Sequence, residues 1–410
     1  MKNYGLGMMH AACLLTAMSS AAVAEDVFTP LTASPFNLTT TPAPGTDGRW
    51  HFVYELELSN TRSVPATLEQ VKVIGVPPVP GKSSKQAAAS ARSKEQPSRD
   101  LAWFDPTSFS TRLKRLNNQP AENAEFDLDV TRLFLINLAV ARQDIPAELS
   151  HELRLTGAVV DATDPNPAEQ SYRVASVDVT SGLPKIHPPL TGKGWVAFNG
   201  CCKPGAHRST ALPVNGKLHF AQRFAIDWMR LDKNGRLRNG PANDVRSYAA
   251  YGAKIYAVAD GTVVSVLDGL PDQVPPNLPD PSTINLANVD GNHVVLDIGN
   301  GYYAFYAHMK PGSVRMRLGQ KVRAGTVLGL LGNSGNTSAP HLHFHIMDTA
   351  SVLGSEGLPY VIDRFKFAGN IPEDAIPADL GGDFRRFLLP TSQFRKEQFP
   401  LDLDVIDFWQ

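Results

Sequence analysis

The chain has 410 residues, 42% hydrophobic and 19% charged, with a formal net charge of −1. That length holds two or three domains of ordinary size. The near-neutral balance offers no basic excess with which to hold nucleic acid or an anionic membrane surface.

Residues 1–24 read as an export signal. Lys2 supplies the positive end, Ala11 to Ala22 a short apolar run, and Ala22-Val-Ala24 a small-residue cleavage site. The run is too short to span a bilayer. Cleavage would leave a chain starting at Glu25, with 38 basic against 40 acidic residues, a net charge of −2. Such a chain is expected in the periplasm or outside the cell, with no integral membrane segment once the signal is removed. Cys13 falls inside the signal and lacks the flanking residues of a lipid acceptor. Cys201 and Cys202 then remain. Adjacent cysteines rarely pair, because the small ring departs from ordinary disulfide geometry. An oxidising compartment nevertheless permits a vicinal disulfide or a capped thiol, so both states stay open.

Within the first expected domain, residues 25–180, alternation like that of strands runs over 26–75 and returns at 124–139 and 148–160. Trp50-His-Phe-Val-Tyr-Glu-Leu-Glu-Leu58 has the period of a half-buried strand and ends in a Ser59-Asn60 turn. Val64 to Val76, Phe126 to Val130 and Leu149 to Leu155 continue the pattern. Pro77 to Arg99 has no periodicity and reads as a mobile surface loop. Several short strands with turn signals between them predict a β-sandwich of immunoglobulin-like kind. It contains no constellation of catalytic or metal-binding type, and His51 and His151 read as surface or strand histidines. Residues 181–194, with Gly182, Pro184, Pro188, Pro189 and Gly192, read as a linker or a stiff crossover.

From residue 195 onward short β segments are dense. Ile255 to Val266 reads as two strands hinged at Asp260-Gly261. His293 to Ile298 is a third, and Gly299-Asn-Gly301 turns into Tyr302 to His308. Val322 to Leu331 supplies a further pair. The proline-rich stretch 269–290 interrupts the pattern as an insertion that would border a cleft. Residues 368–410 read as a C-terminal extension whose last stretch, Leu401 to Phe408, would add an edge strand. The fold class is mainly β throughout.

The stretch Ala339-Pro-His-Leu-His-Phe-His-Ile-Met347 carries the chemistry. His341, His343 and His345 occupy every second position. On a strand all three imidazoles leave one face, while Leu342, Phe344 and Ile346 leave the other for a core. A comb of imidazoles backed by packed residues is a firm platform for a metal, and histidine is its commonest protein ligand.

Four segments then come in order: Gly252-Ala-Lys-Ile-Tyr-Ala-Val-Ala-Asp-Gly-Thr-Val263, Tyr306-Ala-His308, Gly329-Leu-Leu-Gly-Asn-Ser-Gly335 and Pro340-His-Leu-His-Phe344. Together they resemble the LytM-type, M23-family zinc endopeptidases of the bacterial cell wall. That family's motifs read roughly G-x-x-V-x-A-x-x-G-x-V, Y-A-H, G-x-S-G-x-S/T and H-L-H-F. The resemblance covers residues 195–348 and implies an antiparallel β-sheet peptidase domain over 195–367 that binds Zn2+ and cuts wall peptides. It implies that His343 and Asp227, the latter in Arg223-Phe-Ala-Ile-Asp227, are metal ligands. It implies that His341 is the general base and that His308 polarises water or steadies the oxyanion. His293, His345, Asp260 and Asp297 receive no role.

One position departs from the family. Arg223 stands where most members have a histidine ligand, and a guanidinium has no lone pair to give. Either the site is incomplete or another histidine serves. His207, in Asn199-Gly-Cys-Cys-Lys-Pro-Gly-Ala-His207, resembles the first ligand of the staphylolysin and β-lytic branch and is preferred over His219. Two imidazoles and a carboxylate leave zinc a position for water, whose pKa the bound ion brings to about 7. The expected function is an exported zinc metalloendopeptidase acting on peptidoglycan, with the N-terminal sandwich docked against it. The alternative is a degenerate LytM-like module that binds the wall or activates other hydrolases.

Overall fold

A computed structural model describes residues 29–62, 64–77, 98–158 and 168–409. The export signal expected at 1–24 and most of the Pro77 to Arg99 loop lie outside them. The N-terminal half forms two sheets. In the first, Leu31–Pro35, Trp50–Asn60, Thr131–Val140 and Leu113–Arg115 lie side by side. In the second the order is Thr39–Thr40, Ala168–Val179, Glu148–Ala158, Ala66–Val76 and Arg99–Phe104. Phe52, Tyr54, Leu56, Phe134 and Ile136 of the first sheet share one core with Leu68, Val71, Leu149 and Leu153 of the second. The two layers are therefore a sandwich closed by apolar burial, at about 1.5–3 kcal/mol for each large side chain. A short helix, Pro106–Arg112, is absent from the strand-only reading. Asp105 caps it by accepting from the Thr107 amide, and a proline opens its first turn.

The strand Trp50–Asn60 is buried on both faces. Phe52, Tyr54, Leu56 and Leu58 enter the sandwich core, whereas Val53 belongs to the core of the C-terminal half. The sequence reads as a half-buried strand because its second face carries glutamates. That face is covered by residues some 150 positions away, which no local pattern reports.

The C-terminal half is built on one large sheet, antiparallel except where Lys185–Ile186 pairs parallel to Val361–Asn370. Its order is Lys185–Ile186, Val361–Asn370, Asp404–Phe408, Gly192–Phe198, Ile226–Arg230, Leu342–Met347, Tyr303–Met309, Asn292–Asp297, Gly261–Leu267 and Lys321–Val322. Two expectations change here. The last strand, Asp404–Phe408, does not sit at an edge but between Val361–Asn370 and Gly192–Phe198. Val405, Ile406 and Phe408 are buried there, so the apolar run is explained by a central position. The proline-rich 181–194 stretch is likewise integrated. Lys185–Ile186 pairs with Val361 and Ile362, and Leu190 is fully buried.

His151 is a core residue rather than a surface one. Its Nδ1 lies 2.7 Å from the Ala175 carbonyl and its Nε2 2.8 Å from the Tyr54 hydroxyl. Carbonyls only accept, so Nδ1 carries the proton and the hydroxyl donates to Nε2. Burial pushes the pKa of this imidazole from 6.5 down to about 4. Between those values the unfolded chain binds a proton that the folded chain refuses. Stability is therefore full above pH 6.5 and declines as the pH falls toward about 4, by up to about 3 kcal/mol. Denaturant titrations of wild type and His151→Gln at several pH values should show this extra acid sensitivity in the wild type alone.

Candidate metal centre

The site is assembled by strand register. Asp227 lies directly opposite His343, with Ile226 opposite Phe344 and Trp228 opposite Leu342. Side chains opposite one another share a face. Ile226, Trp228, Leu342, Phe344 and Ile346 all enter the main core, so Asp227, His343 and their alternating neighbours are driven to the other side.

His308 reaches that side by a different device. Along Tyr303–Met309, Ala307 pairs with His343, so a regular strand would turn His308 away. The pairing with Asn292–Asp297 shifts register between Asn292↔Met309 and Val294↔Tyr306, so Ala307 and His308 together face the single His293. This is a β-bulge, and His308 adopts φ 58°, the left-handed region. The bulge re-aims the imidazole toward His341 and His343, at ring-centre distances of 4.7 and 5.8 Å.

His207 arrives on a loop. Its Nδ1 lies 3.1 Å from the Asn199 carbonyl, which orients the ring, and its Nε2 lies 3.3 Å from Asp227 Oδ2. Backbone carbonyls fix two more rings in the same way: Ser334 O takes His308 Nδ1–H at 2.7 Å and Ala339 O takes His341 Nδ1–H at 2.7 Å. In all three rings Nε2 is therefore the free nitrogen. His341 directs it to Asp227 Oδ1 at 3.2 Å. His343 turns Nδ1 to Asp227 Oδ1 at 2.9 Å and Nε2 to His345 Nδ1 at 3.0 Å.

Two overlapping sets of donor atoms result, His207–Asp227–His343 and His308–His341–His343, and within each set all atoms lie within 4.8 Å of one another. The five residues suggested by the sequence thus meet at one place. His219 does not join them: its Nδ1 sits 3.3 Å from Glu356. Arg223 is turned away, its guanidinium held by Glu55 and Glu356.

Two participants were not assigned from sequence. Asn199 donates from Nδ2 to Asp227 Oδ2 at 2.8 Å, steadying the carboxylate. His345 is buried behind His343, with its own Nε2 unpartnered among the described residues. The alternation of His341, His343 and His345 already placed His345 on this face, and that signal was sufficient to find it.

Charge balance favours a cation here. Burial alone would raise the Asp227 pKa, but the imidazoles of His207 and His341 outweigh it and hold the carboxyl well below its usual range. Burial opposes protonation of His207 and His341, and the same carboxylate reverses this, raising both. At His308 burial, together with His341 and His343, outweighs the same carboxylate and pushes the imidazole well below its ordinary value. One buried carboxylate facing several imidazole nitrogens calls for positive charge among them. Two nitrogens and one carboxylate oxygen, each already oriented by a neighbour, match the donor set of a catalytic zinc ion, and the cradle fits one.

Comparison with known proteins bears on this centre. Residues 242–353 match the family model of peptidase family M23. That segment contains His308, His341 and His343 but begins after His207 and Asp227. A 57-residue stretch is 40% identical to peptidoglycan DD-endopeptidase ShyA of Vibrio cholerae serotype O1. The match spans 14% of this chain and 13% of that relative's length. Among solved structures, a point mutant of the catalytic domain of the prophage-encoded M23 protein EnpA from Enterococcus faecalis is 21% identical, covers 43% of this chain and 93% of its own, and gives a TM-score of 0.25. The lysostaphin catalytic domain from Staphylococcus simulans is 20% identical, covers 40% and 86%, and scores 0.22.

Protein purified without chelators should hold one zinc per chain by atomic emission. His343→Ala and His207→Ala should each reduce that to background after dialysis, whereas His219→Ala should retain it.

Proposed function

We propose, from the match of residues 242–353 to the model of peptidase family M23, that this protein is an exported zinc metalloendopeptidase that hydrolyses peptide bonds in bacterial cell-wall peptidoglycan. The observation that carries the reading is the convergence of His207, Asp227, His343, His308 and His341 on one face of the sheet. The substrate class follows the peptidoglycan endopeptidase to which part of the chain is similar. Export rests on residues 1–24.

His207, Asp227 and His343 would hold the ion. Zinc there supplies Lewis acidity toward a scissile carbonyl and acidifies a water molecule. His341, with Nδ1–H anchored on Ala339 O, offers Nε2 to take a proton from the attacking water and return it to the leaving amine. His308 likewise offers an unprotonated Nε2, which suits it to accept a hydrogen bond from that water. Steadying an oxyanion would require a proton on the same nitrogen, and burial beside His341 and His343 opposes it. The water-orienting role is therefore the one assigned.

The competing reading, a LytM-like module without activity, draws on Arg223. That side chain has another occupation, bonding Glu55 and Glu356. His207 stands 3.3 Å from Asp227, which supports it as the ligand that Arg223 cannot be.

Incubation of purified wall sacculi with the zinc-loaded protein, followed by mass spectrometry of released fragments, tests the reading. Cleaved peptide cross-links are expected. His341→Ala and His308→Ala should each lower kcat about 10²- to 10⁴-fold while retaining zinc. Unchanged turnover in His341→Ala, or intact cross-links with the loaded wild type, would refute it.

A further inference from the structure

The N-terminal sandwich reaches the metal centre through one carboxylate. Glu55, in the strand Trp50–Asn60, is fully buried. Its Oε1 accepts from Arg208 Nη1 at 2.6 Å and from Arg223 Nε at 3.0 Å, and its Oε2 accepts from Arg223 Nη2 at 2.8 Å. Arg208 directly follows His207. Arg223 lies in the turn that leads into Ile226–Arg230, four residues before Asp227. A single side chain of the sandwich therefore grips both chain segments that bring the first two donors of the centre.

The grip has further points. Arg208 Nη2 donates to the carbonyls of Tyr54 and Ile136, both in the sandwich, at 2.8 and 3.2 Å. Arg223 also bonds Glu356 Oε2 at 2.7 Å and the Gly357 carbonyl at 3.2 Å. Asn118 and Ala211 exchange two hydrogen bonds across the same junction, at 2.7 and 2.8 Å. Leu133, Leu135, Ala211 and Phe220 form one apolar cluster, and the Phe220 ring lies 5.9 and 5.4 Å from the Arg208 and Arg223 guanidinium carbons. Away from water each guanidinium tolerates little displacement from its carboxylate, because an unpaired buried charge is strongly penalised. The loop carrying His207 lies outside the paired strands, so these contacts are a large part of what defines its path.

We propose that Glu55 is a positioning residue for the metal centre: the sandwich holds the His207 loop and the turn before Asp227 at the spacing the ion needs. The sandwich is then part of the site's scaffold rather than only an accessory that presents substrate. The inference rests on the zinc reading of His207, Asp227 and His343.

The test uses the full-length chain, with zinc affinity measured by chelator competition, the absorption spectrum of the cobalt(II)-substituted protein, and thermal unfolding. Glu55→Gln keeps the shape and removes the charge. It should weaken zinc binding ten- to hundredfold and alter the cobalt spectrum. Thr46→Val removes another contact between the halves, the Thr46–Asp404 hydrogen bond, and should leave both readouts at wild-type values. If Glu55→Gln does not fold, Arg208→Lys replaces it, since an ammonium cannot bond Glu55 and two carbonyls as a fork does, and the same loss is expected. A lowered unfolding temperature with wild-type zinc affinity and spectrum would reduce the ion pairs to structural glue and overturn the proposal. Absence of metal binding in the wild type would instead refute the zinc reading itself.

Discussion

One pairing governs this molecule: Asp227 opposite His343 on neighbouring antiparallel strands. The register is enforced from behind, where Ile226, Trp228, Leu342 and Phe344 pack into the main core. A slip by one residue would send the carboxylate and the imidazoles inward and expose the apolar set. The same hydrophobic force that closes the fold therefore creates the polar face. Once the carboxylate is buried among His207, His341 and His343, the centre calls for compensating positive charge.

The remaining groups reach that face by less regular means. A bulge with one left-handed residue brings His308, three backbone carbonyls choose the tautomers, and a loop delivers His207. Loops are the weakest way to place a ligand, because their paths follow from contacts rather than from a repeating ladder. Here the contacts come from the other half of the protein, through Glu55 and the two arginines. The docking of the sandwich and the geometry of the centre are thus one problem in packing.

Much of this was legible in the sequence, and the division has a physical basis. The alternation His341-Leu-His343-Phe-His345 stated both the secondary structure and the face, because side-chain direction on a strand depends only on parity. Ile226-Asp227-Trp228 obeyed the same rule. What could not be read was set by distant partners. Glu55, alternating with Leu56 and Tyr54, looks like a solvated residue until Arg208 and Arg223 cover it. Asp404–Phe408 carries the pattern of a strand but not its neighbours, so its central place in the sheet was hidden. Arg223 appeared as a missing ligand, and only its carboxylate partners explain it. His151 looked ordinary because neither Tyr54 nor the Ala175 carbonyl is near it in sequence.

The most direct examination of the account is X-ray absorption at the zinc edge on the loaded, full-length protein. A coordination shell of nitrogen and oxygen at about 2.0–2.1 Å, with imidazole scattering from two rings, is the expected result. A shell containing sulfur at about 2.3 Å, or one made of oxygen alone, would place the ion elsewhere and contradict it.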